Sequence, residues 1–252
     1  MSFPVFDLPA DSEVFGIVRR SSGALISKTI MFSELSRLLE TTEERYRESV
    51  VEDNILMKRT QAGRRETFNR LRQFYGLNYS LLLFVEFKKL WQVEEERPLL
   101  ALLLATARDP LLRTTAQVVL NTPQGVSLSS APLAEAVAAA YPGRYSVSSL
   151  GSMSRNALSS WTQSGHLSDT KIKLRKNPKA GPASVTFALL LGYCCGARGA
   201  FLFTTAWAAL LELPAHQWDD LTFASAQRGW LDYHRIGDVV EITFPWLEEA
   251  IK

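Results

Sequence analysis

The feature that most constrains this chain is the apolar stretch 187–213, whose only charged residues are Arg198 at its middle and Glu212 near its end. It is long enough to span a bilayer. Gly192, Gly196 and Gly199 interrupt it, however, and a cation at mid-stretch is costly in lipid. The expected solution is a pair of buried helices broken near Gly196–Gly199. A second stretch, 99–107, is nearly all apolar and follows Pro98, a residue suited to a first helical position. A helix apolar on every side belongs at the centre of a fold. Asp109-Pro110 breaks it, and 111–120 continues as helix.

Residues 1–27 read as extended or irregular, with Pro4, Pro9 and a turn at Ser21-Ser22-Gly23. Residues 30–39 have helical spacing. Thr41 or Thr42 can cap a further helix running to about Ile55, with Glu43, Glu44 and Arg45 in its first turns. After a polar break at 58–63, residues 64–75 place Phe68, Leu71, Phe74 and Tyr75 on one apolar face, and Gly76 terminates the helix. Residues 81–91 are apolar and aromatic.

Asn121 to Ala131, with Pro123, Gly125 and several serines, is the expected linker. Beyond it lie a short alanine-rich helix at 132–141, ended by Pro142-Gly143, and a longer helix within 146–165. Residues 171–174 alternate charged and apolar side chains, which is strand spacing. A strand over 171–176, a turn-rich tip at 177–182 and a return over 183–187 would complete a basic hairpin. Short helix, longer helix and basic hairpin is the order of a winged helix-turn-helix. Near the end, 214–227 reads as a helix, and 230–234 and 239–244 flank Arg235-Ile236-Gly237-Asp238 as a second hairpin turning at Gly237-Asp238.

Net charge is only +2, so its distribution matters more than its sum. Between residues 59 and 72 there are arginines at 59, 64, 65, 70 and 72 against Glu66 alone. Helix, polar break and basic helix suit a helix-turn-helix that reads DNA through Lys58, Arg59, Arg64, Arg65, Asn69, Arg70 and Arg72. The alternative is a solvated arginine face. Between 144 and 179 the bases are Arg144, Arg155, Lys171, Lys173, Arg175, Lys176 and Lys179, and Asp169 is the only acid. Ser152, Ser154, Arg155 and Asn156 can approach phosphates and base edges from the helix. Here the alternative is an edge hairpin whose lysines block aggregation. From Glu212 to Lys252 the balance reverses, with eight acids against three bases.

Motifs for catalysis are weak. His166, His216 and His234 lie far apart without zinc-ligand spacing, and there is no P-loop, G-x-S-x-G or G-x-G-x-x-G. Asp219-Asp220 reads as a helix-capping pair and Tyr233-His234-Arg235 as packing. The adjacent Cys194 and Cys195 suit buried thiols in a reducing compartment. No basic segment followed by an apolar run opens the chain, so no signal peptide is expected. A cytoplasmic protein without cofactor or metal is the expectation.

The run from Arg47 through Asn54-Ile-Leu, Thr60 and Arg64-Arg65 to Arg70-Leu-Arg72 resembles the BrxA proteins of BREX phage-defence systems. Glu95-Glu-Arg-Pro-Leu-Leu-Ala-Leu-Leu-Leu-Ala-Thr-Ala-Arg, followed by 109–120, is similar to that family's central helices. The resemblance covers roughly residues 25–125. It implies a helical, non-catalytic accessory protein of a defence operon, with likeness to NusB-type RNA-binding antitermination proteins and with DNA binding ascribed to the family.

The sequence therefore predicts a mainly α protein. A helical N-terminal domain with a helix-turn-helix (1–122) precedes a winged-helix-like region with short β-hairpins (131–252, divisible at 187/188). Double-stranded DNA is the expected partner. RNA and other defence-system proteins are the alternatives, the latter as a pure assembly role.

Overall fold

The computed structural model describes residues 4–20 and 23–250. The N-terminal stretch is more ordered than its prolines suggest. It holds a 3-10 turn at Ala10–Phe15 and a short helix, α1 (Ala24–Ser27). Ser21 and Ser22 of the expected turn lie outside the described residues. Next come α2 (Phe32–Leu38) and, after a 3-10 turn at Glu43–Arg45, α3 (Tyr46–Val51). α3 stops short of Ile55. The Asn54 side chain accepts from Lys58 N at 2.8 Å, closing a local turn with Asn54 and Met57 both at φ 54°.

α4 (Gln61–Tyr75) starts at Thr60, whose hydroxyl accepts from Gly63 N, and stops at Gly76 with φ 82°. A side chain at Gly76 would meet Leu81 at 2.7 Å, so both the backbone angle and the space call for glycine. α5 (Leu82–Leu90) and α6 (Arg97–Arg108) follow. Every residue from Leu99 to Ala107 is buried, because α4, α5, α7 (Pro110–Asn121) and later helices pack around α6. The α6–α7 break is built by Asp109, whose carboxylate accepts from Leu111 N (2.9 Å) and Leu112 N (3.1 Å) and also from Leu25 N (3.2 Å).

α8 (Ser130–Ala140) and α9 (Val147–Gln163) occupy the expected positions. The basic hairpin does not. Its return arm was expected at 183–187, but these residues open α10 (Pro182–Cys194). The segment 173–176 is itself the return arm. It lies between 125–128 and 166–168, through Leu128 N to Lys173 O (2.8 Å), Arg175 N to Val126 O (2.9 Å) and Ser168 N to Leu174 O (2.8 Å). The turn is therefore at 169–172. Helix wins at 183–187 because Pro182 fits its first turn and a buried carboxylate, Glu96, accepts from Ala183 N (3.2 Å), Ser184 N and Ser184 Oγ (both 2.7 Å).

α10 is buried along its whole length from Ala183 to Cys194. The apolar stretch breaks where its glycines stand, at Gly196 (φ 92°) and Gly199 (φ 55°). It resumes not as one long helix but as a 3-10 segment, Gly199–Thr204, and α11 (Ala206–Ala209). Among the described residues no helix is long and apolar enough to cross a membrane. α12 (Trp218–Gln227) leads to the C-terminal hairpin, β1 (Asp232–Ile236) with β2 (Val239–Thr243), and the described chain ends in α13 (Pro245–Ala250). The strands are antiparallel, from Asp232↔Thr243 to Ile236↔Val239, leaving Gly237-Asp238 as the expected two-residue turn. Among the described residues the protein is thus mainly helical with one C-terminal two-stranded hairpin. One buried apolar cluster runs from Ile17 to Leu247.

Candidate nucleic-acid interface

α9 is held by its inner face. Ser146 caps it, accepting from Ser149 N at 3.2 Å, and Met153, Ala157 and Trp161 are buried. Trp161 Nε1 donates to Thr115 Oγ1 on α7 at 2.8 Å, and Ser160 Oγ accepts from Ile30 N at 3.0 Å. These contacts leave an outer face of Ser148, Ser152, Arg155, Ser159 and Thr162. Arg155 is exposed, with Nη2 donating to Ser152 Oγ at 3.3 Å. Across from it stands the 166–176 hairpin. Between helix and hairpin lies an open groove of about 400 Å³, lined by Arg155, Ser159, Thr162, Gln163, Asp169 and Lys173. The ammonium of Lys173 sits 3.3 Å from Asp169, whose side chain is 95% exposed.

The other expected contacts divide into free and committed groups. Lys171 and Lys176 are exposed on the hairpin. Lys179 is exposed as well, but lines a different cavity, beside Glu94 and Glu95. Asn156 faces inward, and its Nδ2 donates to the carbonyls of Leu25 (2.9 Å) and Ile26 (3.3 Å), satisfying the end of α1. Arg175 is only 2% exposed. Its guanidinium donates to Val119 O (2.8 Å), His166 O (3.1 Å), Lys176 O and the carboxylate of Glu212.

On α4 the split is similar. Arg64 is half-buried, and its guanidinium donates to Val51 O at 3.3 Å, tying α4 to the end of α3. Lys58 pairs with Glu34 at 2.9 Å. Arg70 donates to Gln73 Oε1 at 2.9 Å and lies 3.9 Å from Glu66. Arg59, Arg65, Asn69 and Arg72 are exposed, and the last three follow i, i+4, i+7 spacing on one helix face.

Of the groove's polar residues, Ser159, Thr162, Gln163 and Asp169 were not among the sequence candidates. Ser159 and Thr162 lie four and seven positions beyond Arg155, so helical periodicity starting from Arg155 finds both. Arg144, counted among the bases of 144–179, lies in the turn between α8 and α9 and outside the groove. Its guanidinium lies 5.7 Å from the Tyr141 ring centre and 5.5 Å from that of Tyr145.

Other titratable groups serve the scaffold. His166 is buried, with Nδ1 2.8 Å from Ser164 Oγ and Nε2 2.9 Å from Leu210 O. The carbonyl only accepts, so Nε2 carries the proton. Burial lowers the His166 pKa to about 3 and keeps the ring neutral. Burial pushes the Cys195 thiol up to about 11, and Cys194 is raised further by the same cause. No group of three or more His, Cys, Asp or Glu side chains placed to hold a metal ion occurs among the described residues.

No protein-family model matches the chain, and no curated protein matches it.

Proposed function

We propose that this protein is a non-catalytic nucleic-acid-binding factor that holds double-stranded DNA through a winged-helix-like unit, residues 110–176, acting in the cytoplasm. In this reading α7, α8 and α9 are the three helices of the unit and α9 is its reading helix. The 166–176 hairpin is the wing, and 125–128 is bridged to its return arm. The observation that carries the proposal is the outer side of α9 and the hairpin, where Arg155, Lys171 and Lys176 are exposed, Lys173 is half-buried, and Asp169 is the one acid between residues 144 and 179. A helix of 17 residues beside a cationic hairpin has the dimensions to enter a major groove while the hairpin tracks a phosphate strand. The Arg65, Asn69 and Arg72 face of α4 supplies a second cationic element.

The resemblance of residues 25–125 to BrxA supports a role as an accessory component of a BREX-type defence system, beside larger enzymes. Phosphate contacts supply most of the affinity, so sequence preference is weak and binding falls steeply with salt.

The test is a salt titration against mixed-sequence duplex DNA, single-stranded DNA and RNA. With four or five cations engaged, log Kobs for duplex should fall against log salt with a slope of about −4. Preferential binding of single-stranded or structured RNA would move the reading to a NusB-like RNA factor. No binding to any of the three at low salt would leave a protein-assembly role.

A further inference from the structure

We infer that the groove between α9 and the 169–173 turn is a phosphodiester subsite, kept in the first of two tandem copies of one structural unit and lost in the second. The inference rests on the nucleic-acid reading above and assigns atoms to it.

The two copies are residues 110–176 and 182–243. Each opens with a helix that has proline in its first turn, α7 at Pro110 and α10 at Pro182. Each then has an irregular crossing segment, two further helices and a hairpin. α10 packs against α11 and α12 much as α7 packs against α8 and α9, and the 199–204 segment lies on β2 as 125–128 lies on 173–176.

The joint between the last helix and the hairpin repeats two backbone hydrogen bonds. In the first copy Gly165 (φ 89°) donates to Thr162 O at 3.1 Å, and His166 N donates to Trp161 O at 3.1 Å. In the second, Gly229 (φ 70°) donates to Ala226 O at 2.8 Å, and Trp230 N donates to Ser225 O at 3.2 Å. A buried leucine follows each, Leu167 and Leu231.

Aligning Gly165 with Gly229 sets Arg155 against Asp219, Ser159 against Phe223 and Thr162 against Ala226. The second copy thus carries an acid and two apolar residues where the first carries a guanidinium and two hydroxyls. Asp219 is also occupied: it accepts from Tyr233 OH at 2.5 Å and from Arg235. That bridge ties helix to hairpin across the region that is open in the first copy. An anion meets a carboxylate there, whereas in the first copy it meets Arg155 and Lys173.

The atoms suit one backbone phosphate. Arg155 has no carboxylate partner among the described residues, so its fork is available for two parallel hydrogen bonds to phosphate oxygens. Ser159 Oγ accepts from Gln163 Nε2 at 3.3 Å and retains its own hydrogen to donate. Thr162 Oγ1 already donates to Leu158 O at 2.9 Å and serves only as wall. Asp169 occupies Lys173 in the absence of ligand. The Asp169 end of this pair is 95% exposed, which makes the pair weak, so an arriving phosphate displaces the carboxylate at little cost.

The experiment measures the salt dependence of binding of a 16-base-pair mixed-sequence duplex to the full chain. The variants are R155A/K173A, D169N and, in the second copy, R235A. R155A/K173A should lower the slope of log Kobs against log salt by about 1, since the subsite holds one phosphate and each phosphate contact contributes about 0.9. D169N should bind about two- to fivefold tighter by freeing Lys173, a gain that damaged folding does not produce. R235A should leave the slope unchanged. Wild-type binding with the same slope in R155A/K173A, or no gain in D169N, overturns the subsite and leaves the general reading standing. Failure of the wild type to bind duplex at low salt overturns both.

Discussion

Replacing Arg175 by alanine should damage the fold and leave the nucleic-acid contact intact. Arg175 lies on the basic hairpin, yet its guanidinium is enclosed by the carbonyls of Val119 and His166 and by the Glu212 carboxylate. Removing it strands Glu212, which is 18% exposed, and takes one donor each from the carbonyls of Val119, His166 and Lys176. Breaking a buried pair from one side costs about 3–5 kcal/mol. For a domain of this size that lowers Tm by roughly 10 °C. Burial already raises the Glu212 pKa, and Arg175 is what draws it back down. In R175A the folded-state pKa therefore rises further above its unfolded value. Such a group adds stability at low pH and loses it as pH rises through the folded pKa, so the penalty should be smaller at pH 5 than at pH 8. Urea denaturation followed by tryptophan fluorescence reads all of this, because Trp161 lies edge-on to His166 with ring centres 4.8 Å apart. The salt slope for duplex binding, measured where the variant is folded, should equal that of the wild type. A variant that unfolds within 1 kcal/mol of the wild type but loses about one unit of salt slope would refute the reasoning and return Arg175 to the interface.

Further outcomes follow from other buried groups. Glu96→Ala removes the carboxylate that accepts from Ala183 N, Ser184 N and Ser184 Oγ, and should cost about 3 kcal/mol with loss of hydrogen-exchange protection in the first turn of α10; unchanged protection would contradict that capping role. His166 is held neutral with a pKa of about 3, below its unfolded value, so its stabilisation is complete above the unfolded pKa and lost as pH falls. That loss is on the order of 2 kcal/mol by pH 5; a His166→Gln variant should show a flatter stability profile between pH 7 and 5, and an equally steep one counts against the assignment. With burial holding the Cys195 thiol near 11, alkylation at pH 7.5 should be about 100-fold slower in the folded protein than in urea, and equal rates would show the thiol to be accessible.

Much of the backbone was legible because its signals are local. Pro98 and the nearly continuous apolar run after it specify a central helix. Asp109-Pro110 ends that helix and caps the next one, and Gly196 with Gly199 divides the long apolar stretch at the expected place. Gly237-Asp238 turns the C-terminal hairpin in the register read from its flanking strands. Each depends on a backbone angle, a missing donor or a side-chain oxygen within a few residues, all of which a sequence displays. The basic hairpin misled for the same reason. Alternation at 171–174 suggested that Ile172 and Leu174 face inward, yet they are 64% and 40% exposed while the neighbouring Arg175 is buried. Only the tertiary structure decides which cations are free. The groups that hold Arg175, Asn156 and Lys58 come from Val119 and Glu212, from Leu25 and Ile26, and from Glu34, dozens of residues away. A charge count along the chain records how many cations there are; it cannot say which of them distant carbonyls and carboxylates have already taken.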